Sequence, residues 1–435
     1  MVSRACALAL AAALLLAPRA GCQEPTLIVE NARIIVGNGT VLERGSVAIA
    51  GERILSVTPE RVPAPAARRI DAAGRTVLPG LVDAHVHVTL SIQVADSASL
   101  ERFLEGGVPG ILRGFLRHGV TTIRSTGDYW PWIGRLRDRI AAGELEGPRI
   151  VAAGPIVTFR NAHPATTVCG YTRSTFCREN TTAEVETAEE ARAAVSRLAA
   201  EGVDFIKLVA DSILAPVQIP DEVVAAIIAQ AHQEGIEAVA HVAEAVFMRK
   251  AAEQGLDGFV HPTLRPLPPA AARELGAVLA QKGTPVTTTA AAALIYRPRP
   301  VESPFEEGSP VRDMLAAVAR SLAAMADAGV ELVLGTDWCV CSPATAHPTI
   351  GPGSATLTEM EILRLGGLSA ADIIAAATIN AARALGGGEE LGTLEAGKLA
   401  DLVMVDGDPL VDVRALRNVR LVVQNGRVVV DDSAL

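Results

Sequence analysis

The sequence predicts a (β/α)8 barrel with a small β-sandwich domain formed by both termini. Three observations carry that expectation. Beyond Pro79, short apolar runs alternate with amphipathic stretches of helical period, and eight such pairs fill the roughly 300 residues that a barrel of this kind takes. Both chain ends instead hold β-rich runs broken by turn residues. Histidines, a lysine and an aspartate stand at the ends of the apolar runs, the rim where such a barrel collects its chemistry. A doubly wound open sheet is the rival, but no G-x-G-x-x-G follows the first strand.

Composition sets the outer limits. With 435 residues, 49% hydrophobic and 20% charged, the chain can bury a large core and does not read as disordered. Its net charge of −10 carries no basic stripe, which argues against nucleic acid. The expected partner is a small molecule or short peptide, and a homo-oligomer is compatible with the sequence.

Residues 1–22 read as an export signal. Arg4 precedes the apolar run Ala7 to Ala17, too short to span a bilayer, and Pro18 to Cys22 supply a break and small residues for cleavage. Gly21-Cys22 is also an arrangement at which a lipid anchor attaches, although Arg19 stands where an aliphatic residue is usual. No later stretch is a membrane-span candidate. The mature protein is therefore expected to be periplasmic or secreted, free or tethered at Cys22. Cys169, Cys177, Cys339 and Cys341 follow the signal, and an oxidising compartment permits disulfides. Cys169 with Cys177 is the preferred pair, because Cys339-Val340-Cys341 would close a strained ring. Zinc binding by these four is a weaker alternative, since neither spacing is C-x2-C.

Taken in order, residues 26–36, 46–50 and 53–58 are β-rich, separated by Gly37-Asn38-Gly39 and Gly51. Leu402 to Val405, Val419 to Gln424 and Arg427 to Val430 have the same texture, with Asn425-Gly426 as a tight hairpin turn. Residues 23–78 and 391–435 are assigned to the small domain, and 79–390 to the barrel. Pro63 to Arg69 is expected as a loop. Barrel strands are expected to end near His87, Arg124, Val157, Val209, His241, His261, Thr289 and Asp337. Helices are expected over 97–118, 131–142, 187–201, 220–235, 243–255, 269–282 and 311–329, with more helix after 355.

The strand ends carry the chemistry. His85 and His87 lie two residues apart, so on a strand they share one face, about 7 Å apart, within reach of one metal ion. Lys207 stands inside the apolar run Val203 to Val209, in a chain whose basic residues are mostly arginine. Burial favours its neutral amine, which can react with CO2 to give an anionic carbamate able to bridge two metals. His241 and His261 end the next two strands, and Gly335-Thr336-Asp337 ends the eighth.

Together, Pro79 to His87, Gly202 to Lys207, Ala240-His241, Gly258 to His261 and Gly335 to Asp337 resemble the amidohydrolase superfamily in its binuclear branch. Gly119 to Arg124 and Leu391 to Leu402 resemble its imidazolonepropionase-like and prolidase-like members, and the similarity runs from about residue 26 to 431. The resemblance implies that His85, His87 and Asp337 hold one divalent metal and that His241 and His261 hold a second. Lys207, as N-carboxylysine, would bridge them. Zn²⁺ suits those donors. Such metals lower the pKa of bound water and polarise a carbonyl, and a bridging hydroxide would attack an amide. Asp337 would be the catalytic residue, taking the proton and passing it to the leaving amine.

Further positions are expected at the pocket. His163 falls where relatives carry a Gly-Gly-His loop, and Arg297, near Tyr296 and Arg299, is placed to clamp a substrate carboxylate. His118 and His232 read as structural, and His347 as a loop residue after the eighth strand. Ser125 and the Trp338 to Cys341 stretch depart from the relatives' pattern beside the pocket. The function implied is an exported metal-dependent amidohydrolase acting on peptide-like amides, dipeptides or N-acyl amino acids. The alternatives are a mononuclear cyclic-amide hydrolase or deaminase, and an inactive barrel serving as a binding or scaffold protein.

Overall fold

The structure, a computed structural model, describes residues 23–172, 175–210, 219–263, 265–296, 304–340 and 350–433. The expected signal, Cys22, Arg297, Arg299, Cys341 and His347 lie outside the described residues.

Strands from both chain ends share one sheet of eight. Its order runs Arg427–Asp431, Val419–Gln424, Leu402–Val405, Thr76–Pro79, Leu27–Ile35, Val41–Ala50 and Arg53–Thr58, with Arg68–Asp71 also paired to Leu27–Ile35. The hydrogen-bonded sheet branches at Leu27–Ile35, which pairs with Arg68–Asp71 at its start and with Thr76–Pro79 further along. Arg68 and Arg69, expected in a loop, belong to a strand. One face buries Ile34, Val47, Ile49, Leu402, Met404 and Val423 together. Asn425 and Gly426, with φ of 47° and 71°, form the hairpin turn that the right-handed twist of its strands favours. A side chain on Gly426 would meet the Gly51 carbonyl oxygen. The antiparallel pairing of Leu402 with Pro79 ties the C-terminal strands to the entrance of the histidine-bearing strand.

That strand, Leu81–Ser91, is buried along its whole length. It pairs in parallel with Val120–Ser125 and Trp338–Val340, and Val120–Ser125 pairs in parallel with Arg149–Ala152. A second, all-parallel sheet runs Thr182–Val185, Ile156–Phe159, Ile206–Val209, Ala238–His241, Gly258–Phe259, Val286–Thr287 and Leu332–Val333. Hydrogen bonds join the two sheets on both margins. Asp204 N donates to Ala152 O at 2.9 Å on one side, and Ala84 N donates to Leu334 O at 2.9 Å on the other.

Helices cover the parallel strands with amphipathic faces, as Ala188–Ala200, Asp221–Gln233 and Pro269–Lys282 show. The stretch expected as one helix over 97–118 is two, Ser97–Gly106 and Val108–Arg117, broken at Gly107 with Pro109 in the first turn of the second. Within each of these two sheets the strands point the same way, so their C-terminal ends lie together on one side of that sheet.

Candidate active site

His85 and His87 share a face of the buried strand, as the two-residue period requires. Each Nδ1 meets a backbone carbonyl: His85 with Val260 O at 2.7 Å, His87 with Gly127 O at 2.6 Å. A carbonyl can only accept, so both Nδ1 atoms carry hydrogen, and a neutral ring then keeps its lone pair on Nε2. The two Nε2 atoms lie 3.1 and 3.2 Å from Asp337 Oδ1. One donor atom from each of the three residues lies within 4.8 Å of the others.

Burial drives the His85 ring down to about 4, against the pull of Asp337, so it is neutral at pH 7. Its Nε2 is buried and has no hydrogen-bond partner among the described residues. The close approach to Asp337 looks like an ion pair, but the Nδ1–carbonyl bond and the neutral ring decide otherwise. A ring lone pair faces a carboxylate, an arrangement that a cation between them satisfies. For His87, burial pulls the ring pKa down, but Asp337, Asp128 and the Gly127 carbonyl raise it by more. Burial would push the Asp337 carboxyl up, yet the facing rings hold it well below the usual carboxylate range.

Asp337 sits at φ 58°, a left-handed conformation uncommon outside glycine. Its N–H donates to His85 O at 2.8 Å, and Tyr296 Oη donates to its carbonyl at 3.3 Å. Gly335, two residues earlier, passes so close that a Cβ there would lie 2.9 Å from the His85 backbone nitrogen.

The remaining expected residues complete a row of rings. His261 lies 4.5 Å from His85 and 4.6 Å from His241 between centroids, and His163 lies 4.7 Å from His241. His261 Nδ1 meets Thr289 Oγ1 at 3.1 Å, and His163 Nδ1 meets Thr167 Oγ1 at 2.6 Å. Burial lowers His163 to about 4 and holds His241 and His261 well below the usual imidazole value. Lys207 is 2% exposed. Its amine has no hydrogen-bond or ion-pair partner among the described residues. Burial lowers it to about 7, opposed by Asp337 and aided by the Arg124 guanidinium.

The six expected ligands and His163 all line one cavity of about 770 Å³. Leu90, Ile156, Val168, Val209, Met314 and Val318 give it an apolar wall. His118 and His232 lie elsewhere, on the Gly114 carbonyl and the Asp257 carboxylate. Cys169 and Cys177 form a disulfide, and Cys339 is also disulfide-bonded. Sequence reading missed four buried charged groups around the site: Asp83, Arg124, Asp128 and Glu359. A signal existed for Asp83, which continues the alternation of His85 and His87.

Residues 76–429 match the model of the amidohydrolase family. The chain belongs to the amidohydrolase family. As a member it is a hydrolase of carbon–nitrogen bonds. It is 26% identical to an imidazolonepropionase of Shouchella clausii, over 91% of this chain and 87% of that one. The imidazolonepropionase of a Geobacillus species is 38% identical, but over only 25% of each chain. A solved Xaa-Pro dipeptidase with methionine bound in its active site superposes with a TM-score of 0.74, at 25% identity, over 92% of this chain and 99% of that one.

Proposed function

We propose that this amidohydrolase uses two divalent metal ions, Zn²⁺ by donor chemistry, to hydrolyse peptide-like amides. Its substrates on this reading are dipeptides or N-acyl amino acids. The observation that carries the reading is the orphaned His85 Nε2 aimed at Asp337. His85, His87 and Asp337 would hold one ion. His241 and His261 would hold the other, with Lys207 carboxylated between them; its buried, unpartnered amine supports that chemistry.

When bound, the metals supply a Lewis acid that acidifies water and polarises the scissile carbonyl. The protein does the rest. The Val260 and Gly127 carbonyls keep His85 and His87 in the Nε2-basic tautomer. Asp337, ionised and facing the cavity, accepts the proton of the attacking water and returns it to the leaving nitrogen. The apolar wall excludes water and favours a substrate with a large apolar group.

The parallel strands, bonded across both sheet margins, are on this reading a closed (β/α)8 barrel spanning residues 79–390. Residues 23–78 and 391–435 form its companion domain. The signal-like residues 1–22 and the Cys169–Cys177 disulfide support export to an oxidising compartment as part of this reading. A second reading, cyclic-amide hydrolysis at one metal, is favoured by the near full-length likeness to an imidazolonepropionase.

The deciding assay is a panel of dipeptides, N-acyl amino acids and cyclic amides with the zinc-loaded protein. Turnover of linear amides supports the proposal. Turnover of cyclic amides alone overturns it in favour of the second reading.

A further inference from the structure

Three carboxylates surround the centre without entering it, and all three are fully buried. Each accepts donors from a segment that carries, or directly touches, a different part of the ligand set.

Asp128 accepts the backbone N–H groups of Val88, Thr89 and Leu90 at 2.9, 2.7 and 2.7 Å. It also accepts the Thr89 hydroxyl at 2.9 Å and the Ser125 hydroxyl at 2.5 Å. It thereby clamps the chain immediately after His87. Its neighbour Gly127 supplies the carbonyl that orients the His87 ring.

Asp83 accepts His85 N at 3.3 Å, Thr336 N at 3.1 Å and the hydroxyls of Thr336 and Thr356 at 2.9 and 2.8 Å. Thr336 Oγ1 in turn accepts Trp338 N at 3.2 Å. The left-handed Asp337 is thus bracketed on both sides by one carboxylate and one hydroxyl.

Glu359 reaches in from the helix Ser354–Leu365 and accepts Ala290 N at 3.0 Å and Ala291 N at 2.5 Å. That fixes the turn beginning at Thr289, whose φ is 34° and whose hydroxyl meets His261.

We infer that these acids are positioning residues that divide the work by metal position. Asp83 and Asp128 set the His85, His87 and Asp337 site, and Glu359 sets the His261 side. This rests on the two-metal reading above. A carboxyl group with several fixed donors holds backbone in place more firmly than an apolar contact does, because every displacement breaks several directed bonds at once in a dry setting. Outer partners of metal ligands ordinarily change affinity by about 10–100-fold.

The test measures zinc release to a coloured chelator, alongside thermal unfolding of the same samples. His261→Ala provides a background in which only the His85, His87 and Asp337 ion is expected. In that background Asp128→Asn should speed release by about 10–100-fold, while Glu359→Gln leaves it unchanged. In the full enzyme Glu359→Gln should speed release of one ion of the two. Ser125→Ala removes one bond of the Asp128 clamp, and Thr289→Val removes the hydroxyl contact to His261 made from the turn that Glu359 holds; both should show the same pattern more weakly if the acid variants do not fold. Equal acceleration by both acids in the His261→Ala background would overturn the division. So would unchanged release with only a lower melting temperature. A zinc-free parent would instead overturn the metal reading itself.

Discussion

His85 Nε2 and Asp337 Oδ1 face each other across 3.1 Å with the ring's hydrogen on the far nitrogen, bonded to Val260. Such a pair is stable when a cation lies between its members. The metal-free protein otherwise relies on a proton, and His87, whose pKa is raised, is the ring to hold it. Zinc uptake near neutral pH should therefore expel a proton, and zinc affinity should fall as pH drops and His87 protonates. Calorimetry in two buffers of different ionisation enthalpy measures this. Uptake without proton release would count against a protonated His87 in the metal-free protein.

Lys207 predicts a pH-dependent stability. Its folded pKa is lowered to about 7, so between about pH 7 and 10 the unfolded chain binds more protons than the folded one. Stability of the metal-free parent should then rise with pH across that window relative to Lys207→Met, by at most about 1.4 kcal/mol per pH unit. Urea unfolding at several pH values reads the difference. A flat difference would mean the amine is not held in a dry setting.

Gly335→Ala tests how closely the eighth strand's end packs on the first. The added methyl would come within 2.9 Å of the His85 nitrogen and 2.5 Å of a Thr287 methyl, neither free to withdraw without moving the site. A loss of roughly 1–3 kcal/mol in urea unfolding is expected, with lower metal content. Unchanged stability and metal content would contradict the close packing.

Met314 and Val318, one turn apart on the helix Pro310–Asp327, belong to the apolar wall. Shortening either to alanine should raise KM about tenfold for substrates with a large apolar group and leave those with a small one unaffected. Steady-state kinetics on a matched pair of substrates separates the cases. Equal effects on both would place these side chains outside the substrate's reach.

The ligand set was legible because a polar residue in an apolar run is conspicuous, and His85, His87, Lys207, His241, His261 and Asp337 all meet at one cavity. Its supports were less visible. Asp128 and Glu359 sit beside ordinary turn and helix residues, and nothing local distinguishes a buried carboxylate from a solvated one. Strand limits blurred for a related reason. Val330 to Asp337 reads as one apolar run, but the left-handed Asp337 lies between two short strands, Leu332–Val333 and Trp338–Val340. The helix over 97–118 reads as one because its apolar period survives the break at Gly107.

The central claim is that two metals sit among these six ligands with Lys207 between them. Metal content per chain, measured by elemental analysis on the purified protein and on Lys207→Ala, tests it most directly. The account predicts about two ions in the parent and fewer in the variant, with short carboxylic acids partly restoring activity to the latter. One ion in both, or full activity in Lys207→Ala, would contradict it.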